Sequence, residues 1–118
     1  MPALPGYPTS WGSSRASVFS VVGLNPYVAY VAPTTGGQLV RIGPSAGVKT
    51  IDFVGAAITR DGLYMVAPVH IESAVVNGVA LAKAAVRLKW YVVAGGAEVA
   101  PGFNLSGSTV DLLVVGPK

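Results

Sequence analysis

From residue 17 onward the chain alternates short runs of β-branched and aromatic residues with clusters of Gly, Pro, Asn and Asp. SVFSVV is followed by the turn signals of residues 23–26, YVAYVA by those of 33–37, and QLVRI by those of 43–47. KTIDFV then leads to an Asp61-Gly62 turn and the long run LYMVAPVHIESAVV. Turn signals at this spacing predict an antiparallel β-sandwich or barrel. Asn77-Gly78 is the sharpest local signal, because both residues tolerate the positive φ that a two-residue hairpin demands. It predicts that the strand over residues 69–76 pairs with the one starting at Val79.

That partner, VALAKAAVRLKWYVV, holds a conflict. Its first half, ALAKAAV, has the propensity of a short helix. From Val86 the period is clearly two, with Val86, Leu88 and Trp90 on one face and Arg87, Lys89 and Tyr91 on the other. Residues 94–97, centred on Gly95-Gly96, turn the chain. A loop through Pro101, Gly102 and Asn104 leads to STVDLLVV, whose Val110, Leu112 and Val114 are predicted to face inward. The expected domain is an all-β, jelly-roll-like antiparallel sandwich of about eight strands over residues 17–118. Residues 1–16 read differently. Pro2, Pro5, Pro8, Gly6 and Gly12 exclude a helix or a central strand, and predict an extended N-terminal arm whose Tyr7 and Trp11 anchor on a neighbouring surface or else lie over the domain's own core.

Composition changes this picture in one respect. A chain of 118 residues is a single domain, and 52% of it is apolar while only 11% is charged, against about 25% charged for an ordinary soluble domain. A small domain has proportionately much surface, so a shortage of charge implies that other subunits cover part of it. Other copies of the same chain are the first expected partner. No run approaches the roughly eighteen apolar residues of a membrane-spanning helix, and the first residues lack the basic start and apolar core of a secretory signal, so no membrane and no export are expected. The absence of cysteine excludes a disulfide scaffold, thiol catalysis and thiolate metal sites. The net charge of +3 comes from eight basic residues scattered from Arg15 to Lys118; a nucleic-acid binder usually concentrates them, so nucleic acid is not an expected partner.

Candidate chemistry is sparse. GPSAGVKT, residues 43–50, approaches a phosphate-binding loop, but Gly47 comes one residue early, Val48 stands where the last Gly belongs, and strand-type sequence follows where a helix is required. It reads as a turn between strands. The single histidine, His70, shares a strand face with Glu72, yet neighbours two apart on a strand point outward in parallel and no nucleophile signature accompanies them. Of the five carboxylates, Asp61 belongs to its turn, Asp52 and Asp111 alternate onto outer faces, and Glu98 follows the Gly-Gly turn. No catalytic residue, metal site or cofactor is expected. The one surface constellation is the row Lys83, Arg87 and Lys89, which share a parity if the strand's register is unbroken; it either docks an acidic partner or a phosphate backbone, or solvates the outer face and stops edge-to-edge aggregation.

The closing third, VRLKWYVVAGGAEVAPGFNLSGSTVDLLVVGPK, resembles jelly-roll modules of the galactose-binding type found in phage tail and fibre proteins: an aromatic-ended strand, a Gly-rich turn, a short return strand, a loop and a last strand ending in Gly-Pro. Taken whole, the chain is similar in organisation to small bacteriophage capsid decoration or cement proteins, being short, cysteine-free, all-β and poor in charge, with a Pro/Gly-rich N-terminal arm. That resemblance implies a non-enzymatic virion protein, assembled in the host cytoplasm, that reinforces joints between major capsid or other virion proteins. The alternative is a carbohydrate- or receptor-binding module of a tail or fibre, using Tyr27, Tyr30, Tyr64 or Tyr91 as a platform; a small jelly-roll coat protein is a further one.

Overall fold

The computed structural model describes residues 14–42 and 47–117, and within them the period-2 runs become seven strands. They are β1 (Ser14–Val22), β2 (Val28–Val31), β3 (Thr35–Arg41), β4 (Phe53–Gly55), β5 (Tyr64–Val76), β6 (Val79–Val92) and β7 (Thr109–Pro117). Two antiparallel sheets result, one of order β1-β7-β4 and one of order β2-β3-β6-β5. No helix occurs among the described residues. The chain is the antiparallel β-sandwich that the turn spacing predicts. Tyr7 and Trp11 of the expected arm lie outside the described residues, as do residues 43–46 of the phosphate-loop look-alike.

The hairpin signal is realised directly. Asn77 and Gly78 take φ of 51° and 79°, and Val76 pairs with Val79 across them. That closure commits ALAKAAV to a strand, since each residue added to the ladder gains a cross-strand partner that an isolated helical turn lacks. The inner faces follow the alternation: Val86, Leu88 and Trp90 on β6 meet Val110, Leu112 and Val114 on β7, all six fully buried. Burying a side chain of this size stabilises by about 1.5–3 kcal/mol. These positions form the main core. Gln38, also buried, is satisfied on both sides: its Nε2 donates to the Val22 carbonyl at 2.8 Å and its Oε1 accepts from the Leu24 N–H at 3.1 Å, which links β1 to β3 across the two sheets.

Three details depart from the sequence reading. β1 begins at Ser14, because residues 14–16 pair with residues 115–117 of β7, so the first sheet takes in three residues that the sequence assigned to the arm. The expected return strand after Gly95-Gly96 is reduced to a single bridge between Tyr91 and Glu98, with the Val99 N–H donating to the Trp90 carbonyl at 2.9 Å; Pro101 follows at once and carries no N–H to extend the ladder. Finally, β6 does not keep one register. Glu72 pairs with Ala85 but Ala74 with Leu81, and Lys83 within the bulge has φ of 50°.

Close backbone approach explains the Gly-Pro ending of β7. A Cβ placed on Gly116 would sit 1.9 Å from the Thr50 carbonyl oxygen, so only glycine lets residues 49–52 lie along β7, where the Lys49 and Asp52 N–H groups donate to the Pro117 and Val115 carbonyls at 2.8 Å each.

Candidate interaction face

On the three-stranded sheet the residues opposite the core are apolar where an exposed face is ordinarily polar. β7 presents Leu113 and Val115 outward, flanked by β1 and β4 in two aligned rows: Ala16, Val115 and Phe53 in one, Val18, Leu113 and Gly55 in the next. Val18 is 71% exposed, Phe53 55% and Leu113 43%. Two nine-residue strands and one of three residues, at ordinary strand spacing and rise, make the sheet's outer face on the order of 300 Å². That is within the range of the largest apolar patch on a monomer, a patch that is often functional.

One end of this face is closed by a neutralised polar cluster. Asp111 Oδ1 accepts from Ser20 Oγ at 2.6 Å and from Arg60 Nη2 at 2.7 Å, and its Oδ2 accepts from Arg60 Nε at 3.1 Å. The Arg60 guanidinium, with the Ser20 hydroxyl second, holds the Asp111 carboxyl down at about 2. The charges on this face therefore cancel locally and leave the apolar rows undisturbed.

The outer face of the four-stranded sheet carries a denser polar network beside its own exposed apolar residues, Leu39 and Met65 among them. Arg87 Nε and Nη2 donate to Glu72 Oε2 and Oε1 at 2.5 and 3.0 Å, and Arg87 Nη1 donates to the Gly36 carbonyl at 2.6 Å. Arg87 and Glu72 are only 11% and 14% exposed, and this guanidinium holds the Glu72 carboxyl below its ordinary range. His70 Nδ1 lies 3.4 Å from Glu72 Oε2 and makes no hydrogen bond among the described residues. Lys89 Nζ sits over the rings of Tyr91 and Tyr30, 5.0 and 5.8 Å from their centroids, and contact with Tyr91 raises its pKa.

The predicted row of Lys83, Arg87 and Lys89 is thus divided. The bulge at Lys83 interrupts the shared parity, Arg87 is held by Glu72 of the same chain, and Lys89 is seated between two tyrosines. The tyrosine platform is corrected as well: Tyr27 is buried, not exposed. Its hydroxyl donates to Glu98 Oε2 at 2.9 Å and accepts the Trp90 N–H at 3.1 Å, and burial pushes the phenol's pKa well up. Glu98 Oε2 also accepts the Tyr30 N–H at 2.8 Å. Asp61 serves its turn as predicted, accepting from Thr59 Oγ1 at 2.5 Å, Ser108 Oγ at 2.6 Å and the Leu63 N–H at 3.1 Å. The Ser108 hydroxyl, followed by Thr59, holds its carboxyl low.

Tyr64 joins a different feature. Its ring meets Trp90 and Phe103 edge-on, with centroids 6.0 and 6.3 Å away, and with Leu63, Val93, Ala100 and Phe103 it lines an open apolar cleft of about 470 Å³ at one end of the sandwich. Among the described residues no group of three or more His, Asp or Glu side chains could hold a metal ion. No described helix is long and apolar enough to cross a membrane.

Sequence reasoning missed Val18, Phe53 and Leu113. The signal was present in DLLVV, where Leu113 and Val115 are apolar on the face opposite Leu112 and Val114; a strand apolar on both faces is usually covered on both. Comparison with known proteins adds no relative: no family model, no curated protein and no solved structure matches this chain.

Proposed function

We propose that this chain is a non-enzymatic structural protein of a viral particle, a capsid decoration protein of the kind its organisation resembles, which lays the apolar outer face of its three-stranded sheet on neighbouring shell subunits. The observation that carries this reading is the pair of register-aligned apolar rows around Leu113, on a chain with so few charges. The mechanism is adhesive. Burial of such side chains is worth about 1.5–3 kcal/mol each when complete, while association costs on the order of 4–15 kcal/mol in lost freedom. A face of roughly 300 Å² falls short of the roughly 800 Å² per partner of a standard stable interface. One copy therefore binds weakly, and symmetry-repeated contacts supply the avidity that resists disassembly. Tyr7 and Trp11, outside the described residues, add a second point of attachment in this reading.

Co-sedimentation of the purified chain with shells of the encoding phage tests it. The chain is expected to pellet with the shells, and a Phe53→Lys/Leu113→Lys double variant to stay in the supernatant. A double variant that pellets like the parent would remove the face from the mechanism, and a parent that never pellets would remove the decoration role.

The second reading, a glycan- or receptor-binding module of a tail or fibre, draws on the cleft beside Tyr64 and Phe103. Sugars stack on such rings, but they also need converging polar groups, and the cleft's walls are largely hydrocarbon. Glycan-array binding that disappears in Phe103→Ala would favour it over the shell reading.

A further inference from the structure

A β-sandwich has four sheet edges, and three of those in this chain carry devices that discourage pairing with another chain. β4 is three residues long. β2 is four residues long and irregular in register. β5 contains Pro68 and two register breaks, and its first residues are already covered, with the Thr59 N–H donating to the Tyr64 carbonyl at 2.9 Å and the Val66 N–H to the Ala57 carbonyl at 3.1 Å. Even the flank of β6 beyond β3 is interrupted by the bulge at Lys83. Short length, proline and bulges are the usual protections of an edge.

β1 has none of them. It is nine residues long, SRASVFSVV, without proline, with one charge, and in unbroken register with β7 from Ser14 to Val22. No strand among the described residues lies on its other side. The phase of its ladder follows from two hydrogen bonds. The Gly23 N–H donates to the Ser108 carbonyl at 2.9 Å, one step beyond the Val22–Thr109 pair, and the Val22 carbonyl is reached from outside the ladder by Gln38 Nε2 at 2.8 Å. In an antiparallel ladder the direction alternates with each residue. The N–H and C=O groups of Ser14, Ala16, Val18 and Ser20 accordingly point away from β7.

We infer that β1 is a self-association edge, pairing antiparallel with β1 of a second copy about a two-fold axis at Val18. The register is dictated by the chain itself. Only even-numbered residues offer outward groups, and centring on Val18 overlaps the whole strand, matching Ala16 with Ser20 and Ser14 with Val22 of the copy. About six to eight backbone hydrogen bonds form in this register. Arg15 of one copy lies opposite Val21 of the other, so the two guanidiniums are roughly 20 Å apart and do not repel at contact range.

Area favours a second copy over an unrelated strand. Joining two β1 edges makes one continuous six-stranded sheet, and the two outer faces become a single surface of roughly 600 Å², approaching the roughly 800 Å² that a standard stable interface requires of each partner. A single copy offers half of this. The inference thus deepens the proposed adhesive role, although the dimer itself does not depend on what the face binds.

Light scattering across a concentration series, on the full chain, is the test. The parent is expected at twice its mass of 12.0 kDa. Val18→Pro is expected at the monomer mass with the same β-type circular dichroism, since it deletes an N–H that makes no ladder bond to β7 and is used by no bond among the described residues. A second variant covers the event that proline disturbs the fold. Val18→Cys, in a chain without cysteine, should give a disulfide-linked dimer on mild oxidation, because directly opposed residues of a hydrogen-bonded pair lie about 5.5 Å apart, within disulfide reach. Ala16→Cys, displaced by about four residues from its own copy, should not. A parent that is monomeric throughout, or a dimer that survives Val18→Pro and links equally well through Ala16→Cys, overturns the inference. Phe53→Lys/Leu113→Lys should stay dimeric while losing shell binding, which separates failure of the edge from failure of the face.

Discussion

The two sheets share one core but turn opposite faces to the outside. The four-stranded sheet presents Glu72, Arg87, Lys89 and their tyrosine neighbours, and these groups satisfy one another within the chain. The three-stranded sheet presents Val18, Phe53 and Leu113, which satisfy nothing within it. A face that has already paired its charges has little to offer a partner, whereas an exposed apolar face gains by being covered. The few charges pair within the chain on each sheet, Glu72 with Arg87 on one and Asp111 with Arg60 on the other, and the three-stranded sheet leaves its remaining outer positions largely to hydrocarbon.

The largest expected effect comes from the layer common to both faces. Trp90→Ala should cost about 3–5 kcal/mol, a large part of the stability of a domain this size, and should destroy the contrast by unfolding both sheets. Chemical denaturation measures it; a loss below about 1 kcal/mol would mean that Trp90 is not the central packing element that its complete burial indicates.

Next comes the self-satisfied face. Arg87→Met strands the Glu72 carboxylate in a largely shielded site and is expected to cost about 2–3 kcal/mol. Adding Glu72→Leu should return most of that loss, because replacing both partners removes the desolvation penalty along with the attraction. Denaturation midpoints of the single and double variants decide the point, and a double variant no better than the single would show that the pair's value lies in its geometry toward Gly36 instead.

Acid weakens both faces through their carboxylates. Asp61, Glu72 and Asp111 all have folded-state pKa values below their ordinary ones, Asp111 falling from 3.8 to about 2. A depressed folded pKa contributes stability that is fully present above the unfolded value and is lost as pH falls through the folded one. Melting temperature should be flat with respect to these groups above about pH 5 and decline from about pH 4 toward pH 2. Asp111→Asn should shallow the lowest part of that decline, and an unchanged slope would remove Asp111 from the account.

The smallest effect on stability belongs to the apolar face. Phe53→Lys and Leu113→Lys are each expected to change it by only about 0.5 kcal/mol, as at ordinary surface positions, while abolishing attachment to shells. That combination sharpens the comparison most, because a position that matters for assembly and not for folding is the mark of an interface.

Much of the fold was legible because its signals are local. Asn77-Gly78 can supply two positive φ values in succession, so it announced its hairpin before any partner was known. VRLKWYV and STVDLLVV declare their inner faces by period alone, since successive side chains on a strand must point to opposite sides. The second apolar set on β7, Leu113 and Val115, was equally visible as a pattern. Its meaning was not, because a strand apolar on both faces does not say what covers the second one.

Other features depend on what meets across space. Tyr27 looks like any strand tyrosine until Glu98 and the Trp90 amide, far along the chain, close around its hydroxyl. Lys83 leaves the row with Arg87 and Lys89 because the β5–β6 ladder slips there, and a slip belongs to the pairing of two strands, not to either alone. The edge position of β1 is likewise a property of sheet order: SRASVFSVV would make an equally good central strand, and among the described residues only β7 lies beside it. Local sequence determines which residues turn and which face they share; long-range pairing decides which of those faces and edges remain open, because that depends on neighbours the chain acquires only by folding.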